Sequence, residues 1–221
     1  MKSIAIDGPA GAGKTSLARL LAKELNFAYL DTGAIYRSIG YHFDMYGIGP
    51  KDTDGIHRLL GDANINICFD DLGNQHMLLN GKDITDELRS PEISMIASKI
   101  SANPEVRTFL LDMQRNVALE NDVVMDGRDI GTVVLPNADI KFFVTASPEI
   151  RARRRYLELC SDRQITLDEV LKDIIARDKA DSEREVAPLK KADDAVFLDT
   201  SEDELSTVFE KAMTVIREKF G

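Results

Sequence analysis

No apolar run in the chain approaches the ~20 residues of a membrane-spanning helix, so no membrane partner is expected. The first seven residues hold one lysine and then Asp7, the wrong flank for a secretory signal, and the cytoplasm is the expected compartment. Cysteine is scarce. Cys68 and Cys160 stand far apart without paired spacing, which argues against a disulfide or a zinc site and leaves two small, buried or half-buried thiols. The three histidines, His42, His57 and His76, have no metal spacing and read as surface or packing residues. Positive charge is short too: 28 Lys and Arg against 38 Asp and Glu give a net charge of −10. A protein that follows a nucleic-acid backbone usually presents a broad positive face, so no nucleic-acid partner is expected.

The positive charge that is present is concentrated. "RARRR", Arg151 to Arg155, puts four arginines in five positions, a local cationic patch suited to a small polyanion. At 221 residues the chain has room for one sizeable core with at most a small satellite. Short, nearly continuous apolar runs at 2–6, 28–30, 122–126, 140–144 and 195–199 read as buried parallel strands. Helical patterns lie between them. Leu17, Leu20, Leu21 and Leu25 share one face of a helix over 14–25; Leu205, Val208, Phe209, Ala212 and Ile216 share one over 203–219, opened by a capping box of Ser201 and Glu204. The fold class is therefore α/β, a parallel sheet with helices on both faces. Residues 64–86 break the rhythm: strand, turn, strand, an Asn80-Gly81 turn and strand, a small antiparallel β insert. Ser90-Pro91 opens a helix after it, and Asn103-Pro104 a longer one running to about residue 120.

Between the first strand and the first helix lies Gly8-Pro9-Ala10-Gly11-Ala12-Gly13-Lys14-Thr15-Ser16, a fit to G-x-x-x-x-G-K-[ST] in the strand–helix setting this motif requires. Glycines let successive N–H groups turn inward onto phosphate oxygens, and the helix start adds its partial positive charge. Lys14 is placed to reach the β- and γ-phosphates and the Thr15 hydroxyl to ligate Mg²⁺, which makes this a nucleoside-triphosphate site. Asp126, ending the run "VVMD", supplies a carboxylate near the metal, directly or through a water. A GTPase would need N-K-x-D after a later strand; "NGKD" at 80–83 sits in a hairpin instead. Three further segments carry polar chemistry: "LDTGAIYR" (30–37), "DGRDIGTVV" (126–134) and "ARDKADSEREVAPL" (176–189), the last read as following a helix and carrying Arg177, Asp178, Asp181 and Arg184. They offer arginine forks for a second phosphate and carboxylates for a sugar or an exocyclic amine.

At these residues the chain resembles the bacterial cytidylate kinases. "GPAGAGKT", "DTGAIYR", "DGRDIGTVVLP", "RARRR", "RDKADSER", "APLKKADDA" and "LDTS" match that family's signatures in order, from about Ile4 to Ser201. The resemblance implies transfer of the ATP γ-phosphoryl group to CMP or dCMP with Mg²⁺. It implies one P-loop kinase domain over 1–221, with a monophosphate-binding insert at about 62–100 and a lid at about 151–184. Around the monophosphate it would place Thr32, Arg37, Ser98, Arg107, Arg128, Asp129, Asp181 and Arg184. Arg37, Arg128 and Arg184 would hold phosphate; Ser98, Arg107 and Asp129 would read cytosine; Asp181 would meet the ribose. Arg151, Arg154 and Arg155 would act from the lid on the ATP phosphates, Arg128 and Lys14 being catalytic with them. A monomer is expected. An enzyme of this architecture with another acceptor, such as UMP, is the nearest alternative. A nucleotide sensor without turnover should lack Lys14 or the arginines, and none is missing.

Overall fold

The computed structural model describes residues 1–70, 73–160 and 165–221. Residues 71–72, in the expected first turn of the meander, and residues 161–164, in the expected lid, lie outside the described residues. In chain order the elements are β1 (Ser3–Asp7), α1 (Lys14–Leu25), β2 (Ala28–Asp31), α2 (Thr32–Met45), α3 (Thr53–Asp62), β3 (Ile65–Phe69), β4 (Gln75–Leu79), β5 (Lys82–Asp83), α4 (Pro91–Ile100), α5 (Pro104–Glu120), β6 (Val123–Gly127), β7 (Ile140–Thr145), α6 (Pro148–Leu159), α7 (Leu167–Glu183), β8 (Val196–Asp199) and α8 (Leu205–Phe220). Five strands form a parallel sheet in the order β2-β6-β1-β7-β8. The other three form a small antiparallel sheet, β3-β4-β5.

Alternation along the strands divides the core between the two faces of the sheet. Ile4, Ile6, Val124 and Phe142 pack with Leu17 and Leu21 of α1 and Val208 and Ile216 of α8. Ala5, Val123 and Met125 face Ile35, Ile39 and Phe43 of α2 and Leu110 of α5, in a cluster that continues into the antiparallel sheet through Met77 and Leu79. The turn between β4 and β5 has Asn80 at φ 51° and Gly81 at φ 82°, the two positive values a type I′ turn needs. Caps fall where the sequence places them: Ser90 Oγ accepts from Ile93 N, and Asn103 Oδ1 from the Glu105 and Val106 amides. α1 begins differently. Its N-cap is Gly13 at φ 85°, with no capping side chain, so the first amides of the helix are left for another acceptor.

Three expectations are corrected. No capping box opens α8, whose N-cap is Glu204 without a side-chain bond. The Ser201 hydroxyl is spent elsewhere, donating to Asp199 Oδ1 (2.6 Å) and accepting from Ser147 N (2.9 Å). Residues 176–183 do not follow a helix but complete α7, with Arg184 as its C-cap, because Ala, Lys and charged residues propagate a helix until the chain turns at "EVAPL". Cys68 and Cys160 are exposed rather than buried, one on the outward side of an edge strand and one at the C-cap of α6.

α2 crosses α4 closely at Gly40, where an added Cβ would stand 3.2 Å from Ala97 N. Gly40→Leu is expected to lower stability by about 1–3 kcal/mol through overpacking. Gly61→Ala, in α3 with nothing within 4 Å, is expected to raise it by about 0.5–1 kcal/mol. Urea unfolding of the two variants checks the pair.

Candidate active site

β1 delivers the chain into the glycine loop. Gly8 (φ 147°) lies so close to β7 that a Cβ would fall 1.9 Å from Val144 O, and Gly11 (φ 75°) turns against Arg151. Pro9 and Ala12 are buried, Ala10 half-buried, and Ser16 is exposed on α1. The loop and the uncapped start of α1 form one concave set of amides. Within it Lys14 is 5% exposed and its ammonium donates to Pro9 O (2.7 Å). Burial, with Arg128 nearby, holds the Lys14 proton affinity well below the ordinary lysine range, while Asp126 and Asp7 oppose the shift.

Thr15 Oγ1 donates to Asp126 Oδ2 (3.0 Å) and Tyr29 OH to Asp126 Oδ1 (2.9 Å), so both carboxylate oxygens have fixed directions. Burial pushes the Asp126 carboxyl upward, with the Asp31 charge adding to the effect. A hydroxyl and a carboxylate at the foot of a phosphate nest form the oxygen donor set that a hard divalent cation takes alongside substrate phosphates. Among the described residues no group of three or more His, Cys, Asp or Glu side chains could hold a metal alone.

Across the sheet end from the nest, arginines gather, four of them held by carboxylates. Arg37 pairs with Asp31 (2.7 Å) and Arg128 with Asp181 (2.9 Å). Arg107 and Arg184 both pair with Asp129, the latter at 3.3 Å. Asp129 is 4% exposed and its carboxyl is raised by burial against the pull of those arginines. The structure thus joins Arg107, Asp129 and Arg184 in one knot and Arg128 with Asp181 in another. Thr32 is pinned to β6, its hydroxyl donating to Asp126 O (2.8 Å). Ser98 lies half-buried on α4, and none of the described hydrogen bonds joins it to the arginines. Arg177, noted in the third sequence segment without a role, has a buried Nε with no partner. Its proton affinity falls to about 10 through burial and the field of Arg128, with Arg37 and Arg155 adding to it.

The three arginines of α6 named above as lid residues, Arg151, Arg154 and Arg155, differ. Arg151 is 3% exposed, meets Asp178 through both terminal nitrogens (3.0 and 2.6 Å) and donates to Ala10 O (3.3 Å) and Ala146 O (2.8 Å). Arg154 grips Thr200 at its hydroxyl (3.0 Å) and carbonyl (2.6 Å), and the Thr200 hydroxyl donates to Ala12 O (3.1 Å). Among the described residues Arg155 is bonded to Glu158 (2.8 Å). Two arginines therefore brace the loop, and the third stands at the rim.

The two halves are tied by a residue that motif reading passed over. Asp7, at the end of β1, accepts from the Ile130 and Gly131 amides, both at 2.7 Å. Those amides open a π-helical turn, Ile130–Val134, directly after Arg128 and Asp129. One carboxylate thereby connects the strand that carries the nest to the loop that carries the arginines.

Comparison with known proteins agrees along the whole chain. The family model for cytidylate kinase matches residues 4–218. The chain is similar to the cytidylate kinase of Carboxydothermus hydrogenoformans, at 46% identity over 98% of this chain and 97% of that one. It is similar to the cytidylate kinase of Fervidobacterium nodosum at 48% identity, over 98% and 96%. Among solved structures, a gluconokinase from Sinorhizobium meliloti 1021 superposes with a TM-score of 0.52 at 12% identity, over 99% of this chain and 93% of that one. At that identity the likeness speaks for the fold.

Asp7 is measurable without any ligand. Burial raises its carboxyl to about 6, against the Gly131 and Ile130 hydrogen bonds that lower it. The native state therefore binds the proton more tightly than the unfolded chain, and this contribution to stability is present below pH 3.8 and lost as pH rises through about 6. The shift corresponds to about 3 kcal/mol. Relative to Asp7→Asn, the wild type is expected to lose about that much stability between pH 4 and pH 7. Urea unfolding across that range reads it, and a constant difference would show an ordinary carboxyl.

Proposed function

The chain belongs to the cytidylate kinase family, and from that premise we propose that its cleft passes the γ-phosphoryl group of ATP to CMP or dCMP, giving ADP and CDP or dCDP. The observation that carries this reading is the meeting of two sets of phosphate-binding groups across one sheet end. On one side stand the Gly8–Gly13 amides with Lys14, and on the other Arg37, Arg128 and Arg184, close enough that Arg128 depresses Lys14.

In this reading Gly8 to Ser16 cradle the ATP phosphates, and Lys14 leaves Pro9 O for the β- and γ-oxygens. Thr15 and Asp126, directly or through a water, hold Mg²⁺, whose charge would neutralise the phosphate oxygens. Arg37, Arg128 and Arg184 hold the acceptor phosphate in line, while Ser98, Arg107 and Asp129 face the base, Asp181 the ribose, and Thr32 backs the site. The transition state is loose and its charge lies on equatorial oxygens, so alignment and charge stabilisation carry the rate. The acceptor phosphate is already ionised, and no general base is needed. The antiparallel sheet with α4 serves as the acceptor-binding insert, about 62–100, and α6 with α7 as the lid, about 151–184. Arg151 and Arg154 set the loop's shape, and Arg155 at the rim closes on the triphosphate, excluding water as a rival acceptor. We place the enzyme in the cytoplasm as a monomer; among the described residues no helix is long and apolar enough to cross a membrane.

A coupled assay of CMP, dCMP, UMP and AMP with ATP tests the reading: turnover is expected with the cytosine nucleotides, and a preference for UMP or AMP would overturn it. Lys14→Ala is expected to cut kcat by about 10²–10³-fold with the fold intact by circular dichroism. Arg128→Ala is expected to raise the CMP KM and lower kcat, about tenfold each, while sparing the ATP KM. Damage confined to ATP binding would mean that donor and acceptor sides are exchanged.

A further inference from the structure

β2 is the edge strand of the five-stranded sheet, so its outer amides and carbonyls have no strand to pair with. At Asp31 both groups are taken by one side chain. Gln75 Oε1 accepts from Asp31 N (2.7 Å), and Gln75 Nε2 donates to Asp31 O (3.3 Å). A neutral amide carries a donor and an acceptor at the spacing this needs, and here it stands in for a missing strand partner. Gln75 is the first residue of β4, in the other sheet, and its Nε2 also touches Met77 Sδ (3.0 Å). Met77 is buried, so the amide is anchored from the insert side.

Asp31 is where the acceptor side begins. Its Oδ1 accepts from Ala34 N (3.1 Å) as the N-cap of α2, and its Oδ2 holds Arg37 Nη2 (2.7 Å). The guanidinium folds back over the helix start because residue 33 is glycine; a Cβ there would stand 2.8 Å from Arg37 Nη1 and 3.0 Å from Asp31 Oδ1. The backbone of Asp31 is therefore set by the insert, and its side chain sets the arginine. We propose that Gln75 is a positioning residue for the acceptor phosphate, acting through Asp31 on Arg37. A shift of β4 relative to the main sheet moves the Asp31 peptide, and the guanidinium moves with it. The proposal rests on the acceptor site proposed above.

Steady-state kinetics of the full chain with CMP and ATP test it in four proteins: wild type, Gln75→Leu, Arg37→Ala and the double variant. Gln75→Leu is expected to raise the CMP KM about tenfold and to leave the ATP KM within about twofold, and in the Arg37→Ala background the same change should shift the CMP KM by less than about twofold. An unchanged CMP KM in Gln75→Leu, or an equal rise for ATP, overturns the relay. A tenfold effect that persists without Arg37 does so too, because Gln75 would then be a structural staple. If Gln75→Leu is not recovered folded, Gln75→Asn, one methylene too short to reach both backbone groups, takes its place under the same criteria. A wild type inactive on CMP takes both proposals down, whereas an active wild type indifferent to Gln75 removes only this one.

Discussion

Burial depresses the proton affinities of Lys14 and Arg177, and neighbouring cations add to it: Arg128 and Arg177 on Lys14, and Arg128, Arg37 and Arg155 on Arg177. Like charges at this density in a partly dehydrated cleft repel one another, and the rest of the site is arranged around containing that repulsion. The means is a set of carboxylates, one beside almost every arginine: Asp31 for Arg37, Asp181 for Arg128, Asp129 for Arg107 and Arg184, Asp178 for Arg151. Each pair keeps a flexible side chain in one place before any nucleotide arrives. In the proposed site an incoming phosphate would meet guanidinium groups already aimed, replacing carboxylate contacts instead of ordering loose chains. A protein with a net charge of −10 can hold this cationic interior because its acidic residues are spent partly inside the cleft.

The same economy governs how the halves of the cleft are registered. Asp126 has one oxygen on Thr15 of the nest and the other on Tyr29 of β2; Asp7 reaches from β1 to the amides after Asp129. These buried carboxylates cost desolvation, which is why both are raised. They are tolerated because each cross-links elements that no apolar contact could align to a fraction of an ångström. Donor and acceptor distances in the cleft thus depend on ionisable struts at the ends of the central strands.

The five parallel strands, the helix after the glycine loop and the Asn80-Gly81 hairpin were legible in the sequence because each rests on local chemistry: apolar runs, glycine dihedrals and turn residues. Lys14 and Thr15 stood out because the glycine-loop spacing has a mechanical reason, Asp126 as the carboxylate ending a buried strand, and the arginines through polar segments and the family resemblance. Asp7 was hidden although it directly precedes the loop signature, since its partners are backbone amides 123 and 124 residues away and amides leave no mark in a sequence. Gln75 gave no signal at all; a polar residue on a small strand reads as solvated until the free edge of β2 is seen beside it. Ser201 and Glu204 had the spacing of a capping box, and tertiary bonds to Asp199 and Ser147 won the hydroxyl instead. Sequence order also hid the division of labour within "RARRR", where contacts to Ala10 and Thr200 set Arg151 and Arg154 apart from Arg155.

β1 lies between β6 and β7, Gly8 rests on Val144 O, and Ala12 O is held by Thr200. The strands on either side of β1 and the Thr200 that fixes the loop are all synthesised more than a hundred residues after it. The glycine loop therefore lacks its native walls until β6, β7 and Thr200 have been made. The shape of the loop is thus a product of long-range pairing, complete only when β1 lies between β6 and β7.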